Sequence, residues 1–115
     1  MARRTDIRLV FQQRLKEARL RTGLSQKNVG IEAGLDPSVA SARINRYEVG
    51  VHEPDLSTIS RLAQALGVPA AYLFAEDDRL ARLILAFDSL SVTEKERLLK
   101  SLESKASPGK TSTET

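Results

Sequence analysis

The stretch LSQKNVGIEAGLDPSVASARINRYEVG, Leu24 to Gly50, decides the fold. Ser25 is placed to cap a helix over Gln26–Ala33, in which Val29 and Ala33 stand four apart on one face, and Gly34 closes it. Gly34-Leu35-Asp36 leaves room only for a tight turn. Asp36 followed by Pro37 predicts an N-cap and first-turn proline, opening a second helix that runs to about Glu48, with Gly50 as its stop. Two short helices joined by a glycine-containing turn form the arrangement that places its second helix in the major groove of DNA.

Outward from this stretch the chain stays helical. Asp6 to Arg21 carries Ile7, Val10, Phe11, Leu15, Ala18 and Leu20 at three- and four-residue steps, with Thr5 or Asp6 as cap and Gly23 as stop. Gly50-Val51-His52-Glu53-Pro54 reads as an extended loop. Asp55 caps a further helix through Leu66, whose apolar face is Leu56, Ile59, Leu62, Ala63 and Leu66, and Gly67 ends it. A short helix over about Pro69–Phe74 follows. Glu76-Asp77-Asp78 opens another, with Leu80, Leu83, Ile84 and Phe87 as its stripe. Ser91-Val92-Thr93-Glu94 is a capping-box pattern for the last, with Leu98, Leu99 and Leu102 inward. No period-two alternation and no repeat occurs, so the expected class is all-α. The expected organisation is a five-helix domain over 6–75, a two-helix extension over 76–104, and a polar, disordered tail over 105–115.

Composition narrows the chemistry. The 115 residues are 41 % apolar but only 4 % aromatic, so the core is aliphatic. There is no cysteine, which excludes a disulfide framework, a thiol nucleophile and a cysteine-ligated metal. One histidine, His52, gives no His-rich metal cluster and reads as a solvated loop residue. Asp77 and Asp78 read as linker and cap rather than as a catalytic pair, and the six glycines read as helix stops and tail residues rather than as a phosphate cradle. No catalytic residue, metal or cofactor is expected. No apolar run approaches the ~20 residues of a membrane span, and the start of the chain has no secretory signal, so the expected location is the cytoplasm, at the nucleoid. Residues 1–50 carry ten Lys/Arg against five acids, whereas residues 51–90 carry three against six, so the basic half is the one that suits a polyanion.

Leu24-Ser25-Gln26, Ala33-Gly34-Leu35, Arg43-Ile44-Asn45-Arg46-Tyr47-Glu48-Val49-Gly50, Pro54 and Leu62-Ala63-Gln64-Ala65-Leu66-Gly67-Val68 together resemble the phage-repressor/Cro (Xre-type) helix-turn-helix family over residues 9–74. The resemblance implies a five-helix repressor-type domain and a transcriptional regulator. It also implies that Gln26 touches backbone phosphate and that Arg19 pairs with Glu48. The chain departs from the family pattern between Gly34 and Glu48, where it has about four residues more, close to one helical turn, so the third helix is expected to lengthen in register.

Base contacts are therefore taken from the wheel. At about 100° per residue, Ala40, Ile44 and Tyr47 face the core, and Ser38, Ala42, Asn45 and Arg46 face away, flanked by Ser41 and Arg43. Asn pairs with adenine, Arg with guanine, and Ala42 suits a thymine methyl, so Ser38, Ser41, Ala42, Asn45 and Arg46 are the expected readout set. Gln26, Lys27 and Arg43 are the expected backbone set, helped by the N-terminus of the second helix. Arg3 and Arg4 form a possible arm along the duplex. The expected partners are double-stranded DNA, a second copy of the chain through residues 76–104, and a toxin or other regulator. The functions in play are a repressor acting as a homodimer on an operator, an antitoxin that binds its own promoter, and a protein-bridging module that does not bind DNA.

Overall fold

A computed structural model of the chain describes residues 6–106; the Arg3–Arg4 arm and most of the expected tail lie outside them. Six α-helices and one 3₁₀ turn follow in order: α1 Ile7–Thr22, α2 Gln26–Glu32, α3 Ala40–Val49, α4 Leu56–Leu66, the 3₁₀ turn Ala70–Phe74, α5 Asp78–Asp88 and α6 Val92–Ala106. The described residues contain no strand. Helix α6 takes in Lys105 and Ala106, two residues assigned from sequence to the tail.

Side-chain caps set the starts. Asp6, Ser25 and Asp55 accept from the backbone amides of Arg8, Asn28 and Thr58, which satisfies amides that a helix start leaves free. The Ser91–Glu94 capping box forms reciprocally: Glu94 N–H donates to Ser91 Oγ at 3.1 Å, and Ser91 N–H donates to Glu94 Oε1 at 2.9 Å.

Helix α3 starts later than the Asp-Pro signal indicates. Residues 37–39 form a turn, and the helix opens at Ala40 with Val39 at its cap position and no side-chain cap. Asp36 accepts at one oxygen from both the amide and the hydroxyl of Ser38, at 2.8 and 2.6 Å, so its capping capacity closes the turn. Residues 36–39 thus lengthen the connection rather than the helix, and Ser38 stands before α3 instead of on its wheel.

The chain divides into two compact units, one ending at Leu85 and the other beginning at Ala86. In the first, Leu15, Val29, Ile44, Leu62 and Leu73 are fully buried, so each of α1–α4 and the 3₁₀ turn gives the core an aliphatic side chain. Phe11 and Phe74 stack with ring centroids 5.7 Å apart. On α1 and α4 three apolar residues assigned inward stay out: Ile7 and Leu20 are exposed, and Leu56, the first residue of α4, is 82 % exposed. The first part of α5 belongs to this unit through buried Ala81 and half-buried Ile84 and Leu85, while Leu80 and Leu83 remain exposed. Its inward face is therefore turned from the expected Leu80–Leu83 stripe.

Two arginines tie the unit together. Arg14, only 5 % exposed, donates to the Ala75 carbonyl at 2.9 Å, to Glu17 at 2.9 Å and to Asp78 at 3.0 Å. Burial pushes its pKa down, but the two carboxylates outweigh that and hold it raised. Arg61 on α4 donates to the Ala33 carbonyl at 2.9 Å, placing a cation on the C-terminal end of α2.

In the second unit, Lys95 lies 5.5 Å from the centroid of the Phe87 ring. No side chain of α6 is buried, and Leu99 and Leu102 are exposed.

Candidate nucleic-acid interface

Helices α2 and α3 meet at Gly30 and Ala40. A methyl group built on Gly30 would stand 2.7 Å from Ala40 Cβ and 3.0 Å from its Cα and carbonyl oxygen. Gly30 is thus a close-approach residue inside α2, not a helix stop as the glycine pattern suggested. After Glu32 the chain reverses through Gly34 at φ 89°, and the Leu35 amide returns to the Gly30 carbonyl at 2.9 Å.

This contact aims α3. Ala40, Ile44 and Tyr47 are buried, as the wheel required, and Ser41, Ala42, Asn45 and Arg46 are exposed on the side away from them. Ser38 is exposed in the preceding turn and Lys27 on α2. Among the expected DNA contacts, the Ser38 hydroxyl is already engaged with Asp36, and Arg43, Gln26 and Asn45 are engaged with other side chains. Arg43 donates to the Tyr47 hydroxyl at 3.0 Å, with its guanidinium 5.9 Å from that ring's centroid. Gln26 donates through Nε2 to Asn45 Oδ1 at 3.2 Å and to Glu48 Oε1 at 3.1 Å.

Arg19 and Glu48 meet as the resemblance implied. Arg19 Nε reaches Glu48 Oε2 at 2.6 Å and Nη2 reaches Oε1 at 3.1 Å, a two-pronged pair whose side chains are 13 % and 3 % exposed. The hydrogen-bonded carboxylate raises the Arg19 pKa above its ordinary value. Sequence reasoning missed the Gln26 bridge between this pair and Asn45, because its groups lie 19 and 22 positions apart. It also missed Arg14 and Gly30. Both left a trace: a charge between Phe11 and Ala18 on an apolar stripe, and a glycine in mid-helix.

A small exposed helix face of Ser, Ala, Asn and Arg, held on a buried frame beside a second short helix, defines a DNA-binding helix-turn-helix protein. The chain belongs to the Helix-turn-helix family of Xre-type transcriptional regulators, whose model matches residues 15–73. It is 31 % identical over 94 residues to the cryptic phage CTXphi transcriptional repressor RstR of Vibrio cholerae, covering 77 % of this chain and 81 % of that one. It is 34 % identical over 64 residues to the SPbeta prophage-derived HTH-type transcriptional regulator YonR of Bacillus subtilis (strain 168), covering 56 % of each chain. Its structure is similar to the crystal structure of transcriptional regulator BswR, with a TM-score of 0.75 and 45 % identity over 81 % of this chain and 92 % of that one. This is a regulator family, not an enzyme class, and no helix among the described residues is long and apolar enough to cross a membrane.

Proposed function

We propose that this regulator is a repressor that binds operator DNA as a homodimer in the cytoplasm, at the nucleoid. The observation that carries the reading is the exposed face of α3, where Ser41, Ala42, Asn45 and Arg46 stand opposite buried Ala40, Ile44 and Tyr47. Asn45 and Arg46 supply base readout. Ala42 and Ser41 are small enough to let the helix approach the groove floor, and Ser38 lies at the entry to the helix. Lys27 neutralises phosphate. Gln26 and Arg43 belong to the same surface, and their side-chain donors are turned to protein groups in the free protein.

Residues 76–104 supply the second half of the reading. Leu80 and Leu83 on α5, and separately Leu99 and Leu102 on α6, are large apolar side chains left exposed. A second copy of the chain would cover them and bring two recognition helices to half-sites about 34 Å apart. The same exposed residues suit a toxin or regulator, so the antitoxin reading is the outcome if the chain proves monomeric.

The test is selection of full-length protein on randomised duplexes, followed by titration at several salt concentrations. A palindromic consensus and affinity that falls steeply with salt support the reading. Affinity without sequence preference sinks the operator reading, and no salt-dependent binding sinks it in favour of a bridging module.

A further inference from the structure

Along the path Arg19–Glu48–Gln26–Asn45 donors and acceptors alternate, and that order determines what Asn45 offers to DNA. Glu48 has two oxygens, both facing the Arg19 guanidinium, and Oε1 also accepts from Gln26. An ionised carboxylate can only accept, so Gln26 must turn its amide nitrogen, not its oxygen, toward Glu48. One proton of that nitrogen goes to Glu48, and the other goes to Asn45 Oδ1 at 3.2 Å. Asn45 in turn must face Gln26 with its oxygen, because a flipped amide would set donor against donor. Asn45 Nδ2 then keeps its protons free of any group among the described residues.

We propose that Arg19, Glu48 and Gln26 are positioning residues that fix the amide polarity of Asn45, so that it presents a hydrogen-bond donor to the major groove. The base it reads is one with an acceptor at that edge: a purine through N7, guanine also through O6, or thymine through O4. Cytosine, which presents its N4 amino group there, is rejected. The proposal rests on the reading of Asn45 as a base contact. It also gives Gln26 a role other than phosphate binding, since both of its side-chain protons are held within the protein.

The test uses full-length protein selected on randomised duplexes, with competition titrations for Asn45→Ala, Gln26→Leu, Glu48→Gln and Arg46→Ala. Asn45→Ala locates the base pair concerned. Gln26→Leu and Glu48→Gln are expected to lose discrimination against cytosine at that same pair by about fivefold or more. They should leave intact both the preference that Arg46→Ala removes and the affinity for an unrelated duplex. Gln26 is only half-buried, so its leucine variant keeps the experiment decisive even where Glu48→Gln melts too low for use. A Gln26→Leu protein that binds every duplex equally more weakly, with preferences intact, overturns the proposal and makes Gln26 a phosphate ligand. Unchanged discrimination at the Asn45 pair overturns it as well. If Asn45→Ala itself alters no preference, the base-contact reading and the proposal fall together.

Discussion

Arg19 and Glu48 are 29 positions apart in the chain, and the fold brings them to a 2.6 Å contact from which water is largely excluded. Removing one partner leaves the other charged, desolvated and unpaired, whereas removing both leaves an apolar contact. Arg19→Met and Glu48→Leu should each lower stability, by about 3 kcal/mol or more, and the double variant should lose much less than the two losses added together. Urea melts of the four proteins measure this cycle, and strictly additive losses would mean that the pair contributes no coupling. The pair was legible in the sequence only because Arg19 and Glu48 match a family pattern. Nothing in either helix taken alone says that an arginine on α1 meets a glutamate on α3. The exposed and buried sides of α3 were legible from periodicity, because Ala40, Ile44 and Tyr47 recur at helical steps. Which exposed side chains are engaged by neighbours was not, because Gln26 and Arg43 choose partners through geometry that spacing does not encode.

At the scale of elements, the contact between α2 and α3 tolerates little change. Gly30→Ala puts a methyl group against the backbone of Ala40 as well as its side chain, so neither helix can relieve it by a rotamer change. Overpacking of this kind costs roughly 1–3 kcal/mol. Here the helices must also separate, so the variant should melt lower and lose affinity for its operator beyond the loss in folded fraction. An unchanged melting temperature would show that the two helices are less tightly joined than their geometry indicates. Helix ends make a second prediction. Backbone and side-chain hydrogen bonds from Thr58 hold the Asp55 cap below the ordinary aspartate pKa of 3.8, and bonds from Arg8 do the same for Asp6. A carboxylate whose folded pKa is depressed stabilises fully above its unfolded value and loses that contribution as the pH falls through the folded one. The thermal midpoint should therefore be level from pH 7 to about 5 and fall below about pH 4. Asp6→Asn/Asp55→Asn, which keeps the caps but not their titration, should show a shallower acid slope; an identical slope would place the acid sensitivity elsewhere. Most helix limits were readable from such caps and from glycine stops. The start of α3 was not, because Asp-Pro serves equally to open a helix or a turn, and the side chain of Asp36 closes the turn on Ser38.

For the molecule as a whole, the question is where the DNA-binding part ends and what lies beyond it. Truncation after Ala75 matches the five-helix pattern in the sequence, yet it would remove buried Ala81, the half-buried Leu85 and the Asp78 carboxylate that holds Arg14. The new terminal carboxylate at Ala75 can stand in for Asp78 beside Arg14, but the apolar contacts of Ala81 and Leu85 are lost, so that chain should fold but melt lower than the full-length protein. A chain ending at Asp88 keeps all three groups and lacks α6 with exposed Leu99 and Leu102. It should melt close to the full-length first unit and be monomeric by light scattering. Its affinity for a single half-site should match that of the full-length chain, because the face of α3 and Lys27 are untouched. On a duplex with two half-sites, the full-length dimer gains from joining two binding events, an advantage of about 10²–10⁴ when the geometry fits. The shortened chain should lose that gain and no more. If it remains a dimer, the copies meet through residues before Asp88, and α6 becomes the surface for a different protein partner. If it is a monomer yet binds the palindrome as tightly as the full-length chain, dimerisation contributes nothing to operator affinity, and the homodimer reading fails even with the DNA-binding face intact.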